Sequence, residues 1–193
     1  MSGKELESVL RFIIETDRLK RVNRTGWVDL GICNPESVAD HSFSTALLSY
    51  IIAKRRGLDA EKAMIMALTH DINEVLTGDI ATKPMESLQR VSNKVKHMME
   101  NKNHLKMISY LPPGERKRFI SLWNELESRG SDEAKLVKEV DTLDYIIQIA
   151  LYSKEGRKNF KSFFVTARQK IHDRDLLYIL DKVEKQVYGK VSL

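Results

Sequence analysis

Helical spacing of apolar residues is the feature that most limits how this chain can fold. Apolar residues recur three and four positions apart, as in residues 4–20, where Val9, Phe12, Ile13 and Ile14 are expected to face the core. Asn-Gly or Asp-Gly turns between alternating apolar runs, which would indicate β-hairpins, are missing. Helices patterned in this way bury apolar surface by packing on one another, so the sequence predicts an all-α fold.

Short segments with Gly, Pro and capping residues divide the predicted helices. The 193 residues contain no repeat and no low-complexity linker, so we expect a single domain over residues 1–193 with a core at about 5–190. An irregular segment, 22–35, and a polar loop, 74–84, interrupt the helical pattern. The predicted helices cover about residues 4–20, 35–57, 59–71, 88–110, 113–130, 132–155, 160–171 and 175–188.

Composition indicates a cytoplasmic protein without membrane contact. Cys33 is the single cysteine, so no internal disulfide can form. No run approaches the roughly 20 apolar residues that span a bilayer, and the N-terminal residues lack the features of a signal peptide. The net charge of +5 would attract phosphate-bearing partners, but its short basic runs are more typical of solvated helix faces than of nucleic-acid binding.

The pair His70-Asp71 is the first candidate for chemistry. Apolar residues such as Met64 and Ala67 share its helical face, so both side chains are expected to point inward. A histidine alone in such a place is usually a hydrogen-bonded core residue. A buried carboxylate beside it favours a metal site, because an uncompensated buried charge costs several kcal/mol.

Asp141 and His41 extend this pattern to two other helices. Asp141 and Asp144 interrupt an otherwise apolar stripe, which indicates either a bound cation or an ion pair with a Lys or Arg. His41 lies on a face with apolar residues such as Val38. A mixed nitrogen and oxygen set suits a divalent ion, either Mn, Co, Mg, Zn, Fe or Ni, and leaves positions for water and substrate. The predicted ligands are His41, His70, Asp71 and Asp141.

The residues around these ligands resemble the 5′-deoxynucleotidase branch of the HD superfamily of metal-dependent phosphohydrolases. They are similar above all to eukaryotic members of the HD domain-containing protein 2 type. The resemblance covers about residues 5–190 and implies a homodimeric enzyme that releases phosphate from deoxyribonucleoside 5′-monophosphates. Its motifs are residues 19–27 (LKRVNRTGW), 36–41 (ESVADH), 70–81 (HDINEVLTGDIA) and 133–141 (EAKLVKEVD).

The resemblance also implies residue roles. It implies metal ligation by His41, His70, Asp71 and Asp141. It implies catalytic action at the scissile phosphate by Glu74 and Asp79, which could hold a second ion together with the carbonyl of Ile80. It implies binding of the sugar and phosphate by Arg24 and Trp27. Candidates to orient the histidines are Ser37, Asp40 and Asp144.

Other interpretations of single residues remain open. Asp79 follows Gly78 and could simply cap a turn, and Trp27 could be an ordinary core residue. Thr25 and Gly26 separate Arg24 from Trp27, whereas the bacterial branch has this pair side by side. The discrimination between deoxyribose and ribose is therefore open.

Two alternative functions follow from the same residues. An HD phosphohydrolase could act on a cyclic nucleotide, a nucleoside triphosphate or an alarmone, and a panel of substrates would separate these from a monophosphatase. A basic helical protein could instead bind nucleic acid or another protein without catalysis. That alternative predicts little bound metal and, for nucleic acid, strongly salt-dependent binding.

Overall fold

The computed structural model describes residues 1–80, 93–155 and 160–189. Within these ranges there is no β-strand, and Asn23 and Ser37 form an isolated antiparallel bridge, so the all-α prediction is confirmed there. Two short 3₁₀ helices cover Asp17–Arg21 and Ser153–Glu155. The α-helices are α1 Gly3–Thr16, α2 Thr25–Asp29, α3 Val38–Arg55, α4 Ala60–Thr69, α5 Glu74–Thr77, α6 Asn93–Ile108, α7 Pro113–Ser128, α8 Asp132–Tyr152, α9 Lys161–Lys170 and α10 Arg174–Tyr188.

Polar caps set the beginnings of the helices that carry the site. The hydroxyl of Ser37 and the carboxylate of Asp40 form a reciprocal capping box at the start of α3. Asp59 accepts from the Lys62 amide at the start of α4, as predicted. Ser131 likewise accepts from the backbone of α8. Gly57, with φ of 71°, reverses the chain after α3 in a conformation that suits glycine.

Several predicted boundaries differ from the structure. The α-helix predicted over residues 4–20 ends at Thr16 and continues as a 3₁₀ turn. The segment 22–35, predicted as irregular, contains α2, and the predicted loop 74–84 begins with α5. These helices have only five and four residues, too few to show an apolar period. Residues 81–84 and 88–92 of these predictions lie outside the described residues.

The inward orientation predicted for Ile13 and Ile14 is wrong. Their exposed fractions are 53% and 57%, whereas Phe12 is buried and Val9 is partly buried. The first helix therefore carries two apolar arcs, and only the arc with Phe12 packs on the core. The other arc faces outward together with Leu10.

Helix α8 lies at the centre of the fold. It packs against α3, α4, α7, α9 and α10, and its residues Leu143, Ile146 and Ile149 are fully buried. A second apolar cluster joins α1, the segment before α5 and the end of α6 through Phe12, Ile72 and Met107. The two clusters hold α3, α4 and α8 around a common junction.

The helices of the described ranges show no candidate membrane span. Each is either too short or too polar to cross the apolar thickness of a bilayer.

An ion-pair network joins the outer ends of α4, α7 and α8. The Lys62 ammonium donates to Glu125 at 3.0 Å and lies 2.9 Å from Glu133. The hydrogen bond from Lys62 lowers the pKa of Glu133 to about 2, although burial opposes this shift. A lowered carboxyl pKa stabilises the folded state above the unfolded pKa, and that stability is lost as the pH falls through the folded value.

We expect Lys62→Met to lower the midpoint of thermal unfolding by roughly 2–4 °C at pH 7. The difference from the unsubstituted protein should shrink as the pH falls from about 4.5 toward 2, because Glu133 becomes protonated. Circular dichroism melts across this pH range measure both effects. Exposed Lys117→Met is the control; an equal loss in that variant would refute a specific role for the network.

Candidate metal centre

Donor atoms of the four predicted ligands meet where α3, α4 and α8 join. His41 Nε2 lies 3.1 Å from Asp141 Oδ1, and His70 Nε2 lies 3.0 Å from Asp71 Oδ2. The crossed distances are 4.0 Å between His41 and Asp71 and 3.9 Å between His70 and Asp141. Residues that are 100 positions apart in the chain, His41 and Asp141, are therefore neighbours.

These distances fit a single ion. Donors with bonds of about 2.1 Å to one ion lie at most about 4.2 Å apart, and the four imidazole–carboxylate distances satisfy that limit. The donor atoms of His41, His70 and Asp71 form a group within 4.8 Å of one another, whereas Asp141 lies outside that group and approaches the two imidazoles. Two imidazoles and two carboxylates are a donor set that several first-row divalent metals accept.

Hydrogen bonds orient both imidazoles toward this point. His41 Nδ1 lies 2.7 Å from Asp144 Oδ2, and His70 Nδ1 lies 2.6 Å from the carbonyl oxygen of Ala67. When each Nδ1–H donates to its oxygen, each Nε2 keeps its lone pair for a metal. His70 Nε2 is buried, and within the described residues it makes no hydrogen bond, because its 3.0 Å contact with Asp71 lacks hydrogen-bond geometry. Such a contact is expected for two donors directed at one ion.

The acidic surroundings favour a cation. Arg24 Nη1 lies 3.4 Å from Asp71, its Nε lies 3.9 Å from Asp79, and the carboxylates of Glu74 and Asp141 also act on it. Burial opposes its charge, yet these four acids raise the pKa of Arg24 above its ordinary value. One guanidinium among four carboxylates leaves negative charge that a divalent ion would offset.

Protons and a metal would compete for His41. Burial and the charge of Arg24 lower its pKa, but hydrogen bonds with Asp141 and Asp144 outweigh them and raise it to about 9. The same imidazoles, with Arg24, hold the pKa of Asp141 and Asp71 well below the ordinary range against the effect of burial. A metal that binds Nε2 must therefore displace a proton.

Asp79 contacts the segment that carries Arg24. Its carboxylate accepts from the Thr25 amide at 2.8 Å, and its carbonyl accepts from the Thr25 hydroxyl at 2.6 Å. This carboxylate caps the first turn of α2, which agrees with the capping interpretation of Asp79 and also places it beside Arg24. Glu74 is buried as the first residue of α5.

Trp27 belongs to the main apolar core, which agrees with its interpretation as a core residue. It is 3% exposed, and its ring stacks on Phe163 with centroids 5.7 Å apart. Its indole N–H donates to Glu36 at 2.8 Å, and the Glu36 amide donates to the hydroxyl of Tyr152. Burial raises the pKa of Glu36, and the bond from Trp27 opposes that rise. The sequence did not indicate this role for Glu36, because its partners are distant in the chain.

The remaining predicted residues are placed as follows. Asp144 contacts His41, as the orienting role requires, whereas Ser37 and Asp40 bond to each other in the cap of α3. Ile80 ends the first described range and its side chain is partly exposed. The contribution of its carbonyl to a second ion remains a prediction.

Comparison with known proteins identifies the family. The model of the HD domain matches residues 16–182, which include all four clustered donors. The chain belongs to the HD domain family. This family implies a divalent metal, and the cluster of His41, His70 and Asp71 is a group that could bind one.

Named relatives and solved structures agree with this membership. The chain is 37% identical to 5′-deoxynucleotidase HDDC2 of Danio rerio, over 94% of this chain and 88% of the relative. It is 32% identical to the protein of the same name from Homo sapiens, over 96% and 89%. Among solved structures, the PH0347 protein from Pyrococcus horikoshii OT3 matches with a TM-score of 0.72 and 30% identity, over 92% of this chain and 99% of that one.

We expect Asp144→Asn to weaken metal binding by about 10- to 100-fold, because the acceptor that fixes the His41 ring is changed. Titration of the metal-free protein with Mn²⁺, Co²⁺ or Zn²⁺ by calorimetry measures the affinity. Asp132→Asn, an exposed substitution on the same helix, is the matched control. Unchanged affinity in Asp144→Asn would show that the contact with His41 is dispensable.

Proposed function

We propose that this protein is a metal-dependent 5′-deoxynucleotidase that releases phosphate from deoxyribonucleoside 5′-monophosphates. The proposal is carried by the grouping of His41, His70 and Asp71, with Asp141 3.1 Å from His41. Relatives that bear this enzyme name, over nearly the whole chain, support the substrate. The proposal includes one HD domain over residues 1–193 and the expected cytoplasmic location.

The four clustered residues would hold the ion, and Arg24 would bind the phosphate. The divalent ion supplies, when bound, polarisation of the phosphoryl group and a more acidic water molecule. Arg24 presents a planar fork that matches two phosphate oxygens, and its side chain is 17% exposed. As negative charge redistributes in the reaction, the guanidinium would stabilise the phosphate oxygens that it binds.

Glu74 and Asp79 would act on protons near the phosphate. Glu74 follows Asp71 by three residues, is 5% exposed and acts electrostatically on Arg24. We assign to it the acceptance of a proton from the attacking water. Asp79, beside Arg24, would assist departure of the 5′-oxygen, and Trp27 would support the wall against the sugar. A second ion near Glu74, Asp79 and Ile80 remains a prediction.

Phosphate release from paired deoxy- and ribonucleoside 5′-monophosphates tests the function. We expect chelator to abolish release, a divalent metal to restore it, and deoxy substrates to be preferred. Asp141→Ala should reduce kcat/KM on the order of 100-fold or more, because a ligand is lost. Retained helical content by circular dichroism controls for folding. Full activity of Asp141→Ala, or preference for a cyclic nucleotide or triphosphate, would contradict the proposal.

We further propose that the enzyme is a homodimer that associates through an apolar surface, the α1–α3 face. A groove lined by Ile13, Phe43 and Leu68 connects the helices of this face. The half-exposed apolar side chains of this face together present an accessible surface area on the order of 800 Å². Each partner buries about this area in a standard interface. Helical spacing extends this face along α1 and α3, and Leu68 of α4 adjoins it. The exposed apolar residues included are Leu6, Leu10, Ile13, Ile14, Phe43, Leu47, Ile51 and Leu68.

We expect Leu47→Glu to produce monomers, because two-fold symmetry would place the new carboxylate in the desolvated interface of each copy. Light scattering coupled to size exclusion measures the mass. Val165→Glu on α9 is the matched control, since Val165 is exposed to a similar extent, 58% against 51%. A dimer that survives Leu47→Glu would place the interface elsewhere.

A further inference from the structure

Helix α8 presents a lysine beside the metal-ligating carboxylate. Lys138 precedes Asp141 by three positions, so the two side chains lie on one face of the helix. Their side chains are 25% and 32% exposed, which places both at the edge of the interior. Lys135, one turn earlier, points outward with 59% exposure and pairs with Asp132. Lys138 is therefore not one of the fully solvated basic side chains of this helix.

The ammonium of Lys138 lies in an acidic environment. Its Nζ donates to Glu127 Oε1 of α7 at 2.6 Å. Burial alone would lower the pKa of Lys138, but Glu127, Asp141 and Asp71 raise it above its ordinary value. The ammonium is therefore charged at neutral pH and lies within electrostatic reach of two residues of the candidate metal centre.

Lys138 and Arg24 are held by different elements, since Arg24 is the N-cap residue of α2 and Lys138 of α8 bonds to Glu127 of α7. Both cations interact with Asp71 and Asp141, but the other acids around Arg24 are Asp79 and Glu74. The other acid that acts on Lys138 is Glu127 of α7. An ammonium has three donors, and within the described residues one is used in a hydrogen bond. Within the described residues the other two donors make no hydrogen bond, so we infer that they can bind an anion.

We propose that Lys138 forms a second phosphate-binding position, which contacts the phosphate from the α7 side while Arg24 contacts it from the α2 side. The location rests on the proposed function, but the chemistry requires only a phosphate group. Each of the three non-bridging oxygens of a phosphate monoester can accept more than one hydrogen bond, so a guanidinium fork and one ion leave acceptor capacity unused. A compact ammonium suits this remaining capacity as a point charge.

The decisive variant is Lys138→Met, which keeps most of the aliphatic stem and removes the charge. We expect the metal-loaded protein to bind inorganic phosphate about 10- to 100-fold more weakly, the range for loss of a hydrogen bond to a charged group. Calorimetry with phosphate measures this, and bound metal, measured by elemental analysis, should stay unchanged. Lys138→Arg should recover part of the affinity, and Lys135→Met should match the unsubstituted protein. Unaltered phosphate affinity in Lys138→Met would overturn the proposal.

A purely structural role for the pair Lys138–Glu127 predicts a different result. Glu127→Gln weakens the same link between α7 and α8 but keeps the ammonium. If the lysine only joined the helices, both variants would lower the unfolding midpoint and neither would change phosphate affinity. We expect Glu127→Gln to keep phosphate binding and Lys138→Met to lose it.

The same experiment separates this proposal from the proposed function. If the protein hydrolyses none of the nucleotides but Lys138→Met still loses phosphate affinity, the deoxynucleotidase assignment fails and the second phosphate position stands. If nucleotides are hydrolysed and the KM, kcat and phosphate affinity of Lys138→Met are unchanged, the second position fails and the assignment stands.

Discussion

Compensation of buried negative charge is the constraint on which this structure depends. Asp71 and Asp141 converge in the interior, and Glu74 and Asp79 add their charges around Arg24. Carboxylates brought so close repel one another, and partial burial strengthens that repulsion. Two imidazoles and a guanidinium counter it, and a divalent ion would add to this compensation. The acids are thus held together by the groups that would serve in chemistry.

Much of this centre could be predicted because polar residues interrupt apolar helical stripes. Asp141 and Asp144 both stand out on α8, and the structure gives them different partners: Asp141 lies beside His41 Nε2, whereas Asp144 lies beside Nδ1. The period of the helix indicates that such side chains face inward. It does not indicate which nitrogen each acid meets, since that depends on how α3 packs against α8.

Contacts between distant segments could not be derived in the same way. Asp79 binds the backbone of Thr25 across 54 positions, and Tyr152 accepts from Glu36 across 116. Single-chain periodicity describes one helix at a time, so it also could not tell which apolar arc of α1 meets the core. Periodicity therefore places Ile13 on the wrong arc. It also does not distinguish Lys138 from the exposed basic residues, since the contact with Glu127 depends on how α7 packs against α8.

The arrangement of α8 has a mechanical consequence. Asp141, Asp144 and Tyr152 lie on one helix, which rises roughly 1.5 Å per residue. Their backbones therefore keep fixed positions relative to one another. Arg24 directly precedes α2, and Trp27 of α2 packs on Tyr152 of α8, while Asp79 holds the backbone of Thr25. The helix that carries Asp141 is thereby tied to the segment that carries Arg24. Core packing therefore sets the distance between the guanidinium and the candidate ligands.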